Sequence, residues 1–178
     1  KGQPDAKVLD CGSGVVSILH GTVKRSNLFS CDPLANEYAK IFDYNGAIAD
    51  TYFSPNPVAC EDLEYENQFD VVHISNALDH SQQPSVAFER MYRAVKPGGF
   101  LIVQGFVNEG THEDWTGFHQ WNLDIDQSTD FLSIQDRKGY ETGLKAIIGM
   151  NPYFARKIYI EMLNRDWLIW ITRKPLEA

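Results

Sequence analysis

Two glycines one residue apart, Gly12 and Gly14, stand behind the apolar pair Val8-Leu9 and ahead of Ser17-Ile18-Leu19. Val8 and Leu9 read as a short buried strand, and Ser17 to Leu19 as the first turn of a helix. Neither glycine carries a Cβ, so the backbone here can turn sharply and lie close to a ligand. Strand, glycine turn and helix in that order open a nucleotide-binding α/β unit, with the ligand over the helix N-terminus. Asp10 sharpens the reading, because it sits between the strand and the first glycine. A carboxylate there repels a pyrophosphate and suits a ligand that carries positive charge.

The same alternation continues downstream. Asn27 to Cys31 reads as a second strand ending in Asp32, twenty positions after Gly12. That is the spacing at which an acid takes the ribose hydroxyls of a nucleotide, and one carboxylate can accept from two vicinal hydroxyls. Asp32 before Pro33 is also a good helix start, and both roles can hold together. The helix it would start carries Leu34, Tyr38, Ile41 and Phe42 at helical spacing. Residues 45 to 57 hold Gly46, Pro55 and Pro57 and read as an irregular connection to a short third strand, Val58 to Leu63. An acid just past that strand would meet the exocyclic amine of an adenine. Ala59 stands where that acid is expected, so Glu61 or the backbone around Cys60 must serve.

Phe69-Asp70-Val71-Val72-His73-Ile74-Ser75 is the clearest strand, apolar and β-branched between polar neighbours. Asn76 to His80 leave its carboxyl end. Pro84 opens a helix that stops at Lys96-Pro97-Gly98-Gly99, where the cation suits the helix dipole and proline cannot continue the ladder. Phe100 to Phe106 is a fifth strand. Alternating strands and helices predict a parallel, doubly wound α/β sheet. Phe131 to Gln135, a turn at Asp136 to Gly139 and Tyr140 onward read as a hairpin, with a helix from Ser128 to Gly139 as the alternative. Arg156 to Leu163 and Trp167 to Arg173, split by Asn164-Arg165-Asp166, read as a closing antiparallel hairpin, with Tyr159, Trp167 and Trp170 in the core.

A length of 178 residues argues for one domain over 1–178, and 43% hydrophobic residues supply a core. No apolar run approaches the ~20 residues that cross a bilayer. No signal peptide is visible, so a cytoplasmic protein without a membrane partner is expected. A net charge of −8 argues against a nucleic-acid groove and for a small-molecule partner. Cys11, Cys31 and Cys60 are odd in number and widely spaced, unlike the close ligand pairs of zinc sites. No metal is expected, and the cysteines read as small buried residues of a reducing cytosol.

Four stretches in order carry a family resemblance: Val8-Leu9-Asp10-Cys11-Gly12-Ser13-Gly14, Cys31-Asp32-Pro33, Phe69-Asp70-Val71-Val72 and Lys96-Pro97-Gly98-Gly99-Phe100. Together they resemble the successive motifs of class I S-adenosylmethionine-dependent methyltransferases of the small-molecule type, over residues 7 to 107. The resemblance implies a Rossmann-like sheet of seven strands, mostly parallel, closed by an antiparallel C-terminal hairpin. It implies S-adenosyl-L-methionine as cofactor, with Asp10 at the methionyl amino group, Asp32 at the ribose, and Cys11, Gly12, Ser13 and Gly14 beneath the ligand. Pro33, Cys60, Glu61, Ser75 and Asn76 complete the expected cofactor rim. The chain departs from the family at Val16, where a third glycine is common, and at Ala59. The helices that usually precede the first strand and cover the substrate are also missing, so either the chain is a piece of a longer protein or the lid comes from elsewhere.

Residues 108 to 150 read as a substrate-side insertion after the fifth strand. Their distinctive part holds His112, Glu113, Trp115, Phe118, His119, Gln120, Trp121 and Asn122. At the carboxyl edge of such a sheet, this composition suits a substrate wall. Methyl transfer to a hydroxyl needs a base, for which His119 and then His80 are the candidates, with His112 behind them. The competing reading packs the loop down on its aromatics and leaves the histidines to hydrogen-bond within it. A His112/Glu113/His119 metal site has no recognised ligand spacing. At the level of function, an inactive cofactor-binding domain in a larger assembly is one alternative. A nicotinamide-dependent oxidoreductase is another, opposed by Asp10, the Lys-Pro-Gly-Gly stop, and Ser17 where a dinucleotide fingerprint wants Gly or Ala.

Overall fold

In the computed structural model, residues 5–43, 53–140 and 152–176 are described. The strands are β1 (Val8–Cys11), β2 (Leu28–Cys31), β3 (Phe69–Ser75), β4 (Val95–Phe106), β5 (Asn122–Ile125), β6 (Leu132–Gln135), β7 (Phe154–Ile160) and β8 (Arg165–Arg173). The helices are α1 (Ala35–Ile41), α2 (Pro84–Ala94) and the single turn α3 (Glu109–His112). Six strands form one sheet in the order β2-β1-β3-β4-β8-β7, and β5 pairs with β6 apart from it. Strands β2, β1, β3 and β4 run parallel, while β8 and β7 are antiparallel to their neighbours. The α/β order and the closing hairpin are as the sequence implies.

Among the described residues the sheet has six strands rather than seven, and Val58 to Leu63 does not form one. Beyond β2, among the described residues, there is a single bridge, Cys31 to Asn56. The Asn56 N–H donates to the Ser30 carbonyl at 2.9 Å, and the Asp32 N–H donates to the Asn56 carbonyl at 2.9 Å. Pro55 and Pro57 flank Asn56 and carry no N–H, so the ladder stops after one residue. The chain then winds into a 3-10 turn at Cys60–Asp62.

The helix expected after the glycine loop is also absent; residues 15 to 24 make turns. Val15, Val16, Thr22 and Val23 are β-branched and disfavour a helix, and Gly21 has φ +79. The Ser17 hydroxyl accepts the Leu19 N–H at 3.1 Å, a local bond that competes with the helix ladder. Helix α1 begins at Ala35, and Ala35 is its only buried residue. Its apolar Leu34 and Ile41 are exposed.

The core lies on one face of the sheet. Leu9, Cys11, Val72, Ile74, Leu101, Val103, Leu168 and Trp170 meet Ala87, Phe88, Met91 and Ala94 of α2. Leu123, Ile125, Leu132 and Ile134 of the β5–β6 hairpin join the same cluster. The Phe88 and Trp170 rings lie 5.7 Å apart, and the Trp170 indole N–H donates to the Asp130 carbonyl. β6 pairs with β5 before it, the Asp136 N–H donates to the Tyr140 carbonyl at 3.1 Å across the expected turn, and residues 141 to 150 of the expected hairpin lie outside the described residues. Tyr159, expected in the core, is exposed. No helix among the described residues is long and apolar enough to cross a membrane.

Asp70, where β3 begins, accepts from Lys96 Nζ at 2.9 Å and from the Lys7 N–H at 2.8 Å. Partial burial raises its pKa, but these two donors outweigh it and hold the carboxyl below the usual value. A depressed folded-state pKa contributes stability above the unfolded carboxylate range, and the contribution is lost as pH falls through the lower folded value. The pair is about one-third exposed, so it contributes under about 1 kcal/mol. Asp70→Asn should lower the melting temperature by roughly 2–4 °C at neutral pH and leave it unchanged in strong acid, as thermal melts at the two pH values would show.

Candidate active site

The loop after β1 holds its shape through two left-handed glycines and a polar chain beneath it. Gly12 has φ +60 and Gly14 φ +66, a region that costs other residues energy. A Cβ on Gly12 would lie 2.5 Å from the Ala77 Cβ, whereas one on Gly14 would meet nothing within 4 Å. Gly12→Ala should therefore lower thermal stability well beyond the ~1–2 kcal/mol of backbone strain that Gly14→Ala alone would bring. Equal melting temperatures for the two variants would refute the close approach of loop and rim.

Beneath the loop, Asp10 is 2% exposed and spends an oxygen on each of two partners. The Ser17 hydroxyl donates to it at 2.5 Å, and His73 Nδ1 lies 2.7 Å away. The Gln104 amide donates to His73 Nε2 at 3.0 Å. Nε2 thus carries the lone pair, and the ring proton sits on Nδ1, donated to Asp10. A hydrogen-bonded chain from Gln104 of β4 through His73 of β3 and Asp10 of β1 ends at Ser17 behind the loop. Asp10 faces the protein interior, with no open carboxylate oxygen.

Asp32, 7% exposed, ties the loop to α1. It accepts the Gly14 N–H at 3.0 Å on one oxygen and the Leu34 N–H at 2.9 Å on the other. It thus begins the turn into α1, and each oxygen keeps a second lone pair. Pro33 beside it is exposed. The Ser13 N–H donates to the Cys31 carbonyl at 3.1 Å, closing the loop onto β2. Next to this point a cleft of about 380 Å³ is lined by Cys31, Asn56, Pro57, Val58, Asp62 and Tyr65, among others. Glu61 faces the other way, its Oε1 accepting the N–H groups of Gln82 and Gln83 at 2.9 and 3.3 Å ahead of α2. Cys60 is buried.

Beyond β3 the rim continues through Ser75 and Asn76. Asn76 takes φ +50 and accepts the Phe106 N–H on its side chain. Ala77, the residue against Gly12, is followed by the 3-10 turn Leu78–His80. There the structure brings His80 and His119 together, with a third group the sequence reading passed over. Asp79, 5% exposed at its side chain, lies 2.8 Å from His119 Nδ1. His80 Nε2 is 3.2 Å from the same His119 nitrogen and 3.5 Å from Asp79. His119 keeps 27% side-chain exposure, so its ring is reachable from outside.

The loop is held on this turn by its own bonds. The Gln120 N–H donates to the Asp79 carbonyl at 3.1 Å and the Trp121 indole to the Ser81 carbonyl at 2.8 Å. Glu109, buried, pairs with Arg165 of β8 and fixes the loop's beginning. Trp115 packs on Gly110, while Phe118 is exposed beside His80. His112 is not part of the cluster; it lies 3.9 Å from Glu113 and is exposed. Asp79, Ser17, His73 and Gln104 are the residues that sequence reasoning missed. An acid five residues before the proline that opens α2 and a histidine inside an apolar strand are the signals available.

The methyltransferase-domain family model matches residues 9–103, more than half of the chain. No curated protein matches it. Among solved structures, an S-adenosylmethionine-dependent methyltransferase from Mesorhizobium loti aligns at TM-score 0.62 and 16% identity, covering 96% of this chain and 91% of that one. The N-methyltransferase NodS of Bradyrhizobium japonicum, bound to S-adenosylhomocysteine, aligns at TM-score 0.62 and 13% identity over 96% and 78%. The 1,6-didemethyltoxoflavin N1-methyltransferase of Burkholderia thailandensis, with substrate and S-adenosylhomocysteine bound, aligns at 0.55 and 16% over 96% and 71%. At these identities the structures speak for the fold, and the sequence model speaks for the family. The chain belongs to the methyltransferase domain family, the class I S-adenosylmethionine-dependent methyltransferases.

Proposed function

We propose that this domain transfers the methyl group of S-adenosylmethionine to a small molecule, at a hydroxyl deprotonated by His119. The observation that carries the reading is the Asp79–His119 contact of 2.8 Å at the rim that also touches the glycine loop. Three features support a fit to the cofactor. Space is open over Gly14; Asp32 keeps free lone pairs for ribose hydroxyls; and the cleft of about 380 Å³ beside Cys31 suits the adenine. Cys11, Gly12 and Ser13 would carry the methionyl end on their backbone, with Ser75 and Asn76 on the far rim. Asp10 would act as a fixed negative charge beneath the loop and through Ser17, not as an open carboxylate. Pro33 and Glu61 would act indirectly, by shaping the approaches to α1 and α2.

When bound, the cofactor supplies a methyl group activated by its positive sulfur, so holding the acceptor in line is much of the protein's task. His119 Nδ1–H donates to Asp79, which leaves Nε2 with its lone pair to receive the acceptor's proton. The buried Asp79 carboxylate stabilises the imidazolium that results. His80 lies beside the same Nδ1 edge of the ring, and Gln120 and Trp121 hold the loop on the turn. Small-molecule acceptors agree with the −8 charge and, in class only, with the 1,6-didemethyltoxoflavin bound by the Burkholderia enzyme.

Calorimetric titration with S-adenosylhomocysteine should show saturable binding, and NADH none; no binding of the former removes the reading. A radiolabelled-methyl assay over small hydroxylated acceptors then tests turnover. One observation favours a second reading: Asp10, expected at the methionyl amino group, is turned inward onto Ser17 and His73. In that reading the domain holds adenosyl compounds and serves a larger assembly, and it predicts binding with no labelled product.

A further inference from the structure

Three cysteines far apart in sequence meet at one point of the fold. Cys11 ends β1, Cys31 ends β2 as its ladder partner, and Cys60 stands in the 3-10 turn where a further strand would lie. The three Sγ atoms all lie within 4.8 Å of one another, and the residues are 0%, 1% and 7% exposed. All three are free thiols. All three are buried, as the sequence reading expects, but that they meet is not visible in it, because spacing along the chain says nothing about neighbours across parallel strands.

We propose that Cys11, Cys31 and Cys60 form a three-sulfur site for a soft, thiophilic d10 metal ion, directly beneath the glycine loop. Bonds of about 2.3 Å from a central ion set three sulfurs about 4 Å apart, so the cluster needs only a small contraction. Sulfur-only ligation selects soft ions over magnesium or calcium. No fourth histidine, cysteine or carboxylate joins the group among the described residues, which favours three-coordination over the tetrahedral structural zinc arrangement. The cleft lined by Cys31, Val58, Asp62 and Leu63 gives an ion a way in.

The protonation pattern agrees with ligation. Hydrogen bonds from the Cys11 and Cys60 thiols, with one from the Gly12 N–H, lower the Cys31 thiol to about 5. Burial and the contact with Cys31 push Cys11 up. Ligation requires thiolates, so an arriving ion displaces the thiol protons. The Gly12 contact and the Ser13 N–H on the Cys31 carbonyl place the site against the cofactor loop. The proposal does not depend on methyl transfer and is tested apart from it.

Cadmium is the probe. The reduced chain is titrated with Cd2+ without oxygen, following the ultraviolet sulfur-to-metal charge-transfer band, and cadmium X-ray absorption counts the sulfurs. Expected are saturation at one ion per chain and a first shell containing three sulfurs. Cys31→Ser should lose one of them and weaken binding by roughly 100-fold. No saturable band, a shell with fewer than three sulfurs, or a titration unchanged in Cys31→Ser would overturn the site. If Cys31→Ser fails to fold, the sulfur count in the unaltered chain decides alone.

Discussion

Asp10→Ala should melt on the order of 10 °C below the unaltered chain. The side chain accepts from Ser17 and from His73 in a site 2% exposed to solvent. Alanine removes both acceptors at once and leaves a hydroxyl and a ring N–H buried without partners. Each orphaned group costs about 1–3 kcal/mol, and breaking a buried charged contact about 3–5 kcal/mol in all. For a domain of this size, 1 kcal/mol shifts the melting temperature by about 2–4 °C. His73 cannot escape the loss by turning its proton around, because Gln104 already donates to its other nitrogen. Asp10→Asn separates packing from charge: its amide keeps an acceptor for one partner, so it should melt between the two. Its affinity for S-adenosylhomocysteine should still fall, since the fixed charge beneath the loop is gone. A melting temperature for Asp10→Ala within about 2 °C of the unaltered chain would show that the buried chain of bonds contributes nothing.

How far the fold is legible in the sequence depends on whether its cause is local. β3 is written in Val71, Val72 and Ile74, whose β-branched side chains favour a strand wherever they are placed. The closing hairpin is legible for the same reason, with Asn164 able to take the left-handed turn its φ of +51 requires. The absent strand after β2 is not: Val58 to Leu63 is apolar enough, and the decision lies with Pro55 and Pro57 on the ladder ahead of it. The helix after the glycine loop fails partly on local grounds, its β-branched residues and Gly21, and partly on the attachment of Ser17 to Asp10 across the loop. The pairing of β6 with β5 has no local signal, because it is joined to the cluster around Trp170 from elsewhere in the chain. The site divides likewise. The glycine loop and Asp32 announce themselves by spacing, and His119 by the company it keeps in its loop. Asp79 has no distinguishing signal until the fold lays residue 119 against it, and the three cysteines look solitary until parallel strands align their ends.

His119→Ala should cut turnover by roughly 100-fold or more, the usual share of a general base, while S-adenosylhomocysteine binds as before. The separation is expected because His119 touches Asp79 and His80 and not the glycine loop. Asp79→Asn should lower kcat in the same direction without abolishing it: the amide can still orient the ring but no longer offers a negative charge to the imidazolium. His80→Gln should cost less than either, since His80 is exposed and its contact with Asp79 is the long one at 3.5 Å. A purely structural role for His119 predicts a different pattern, with a lower melting temperature, a loosened loop around Trp121, and no recovery of rate on adding a small base. Added imidazole distinguishes the two. Restored methyl transfer in His119→Ala assigns the lost proton acceptor to this ring, and full turnover in His119→Ala without imidazole removes the base from the mechanism. In that case the acceptor's nucleophile needs no deprotonation, and the rim formed by Asp79, His80 and His119 is a binding wall.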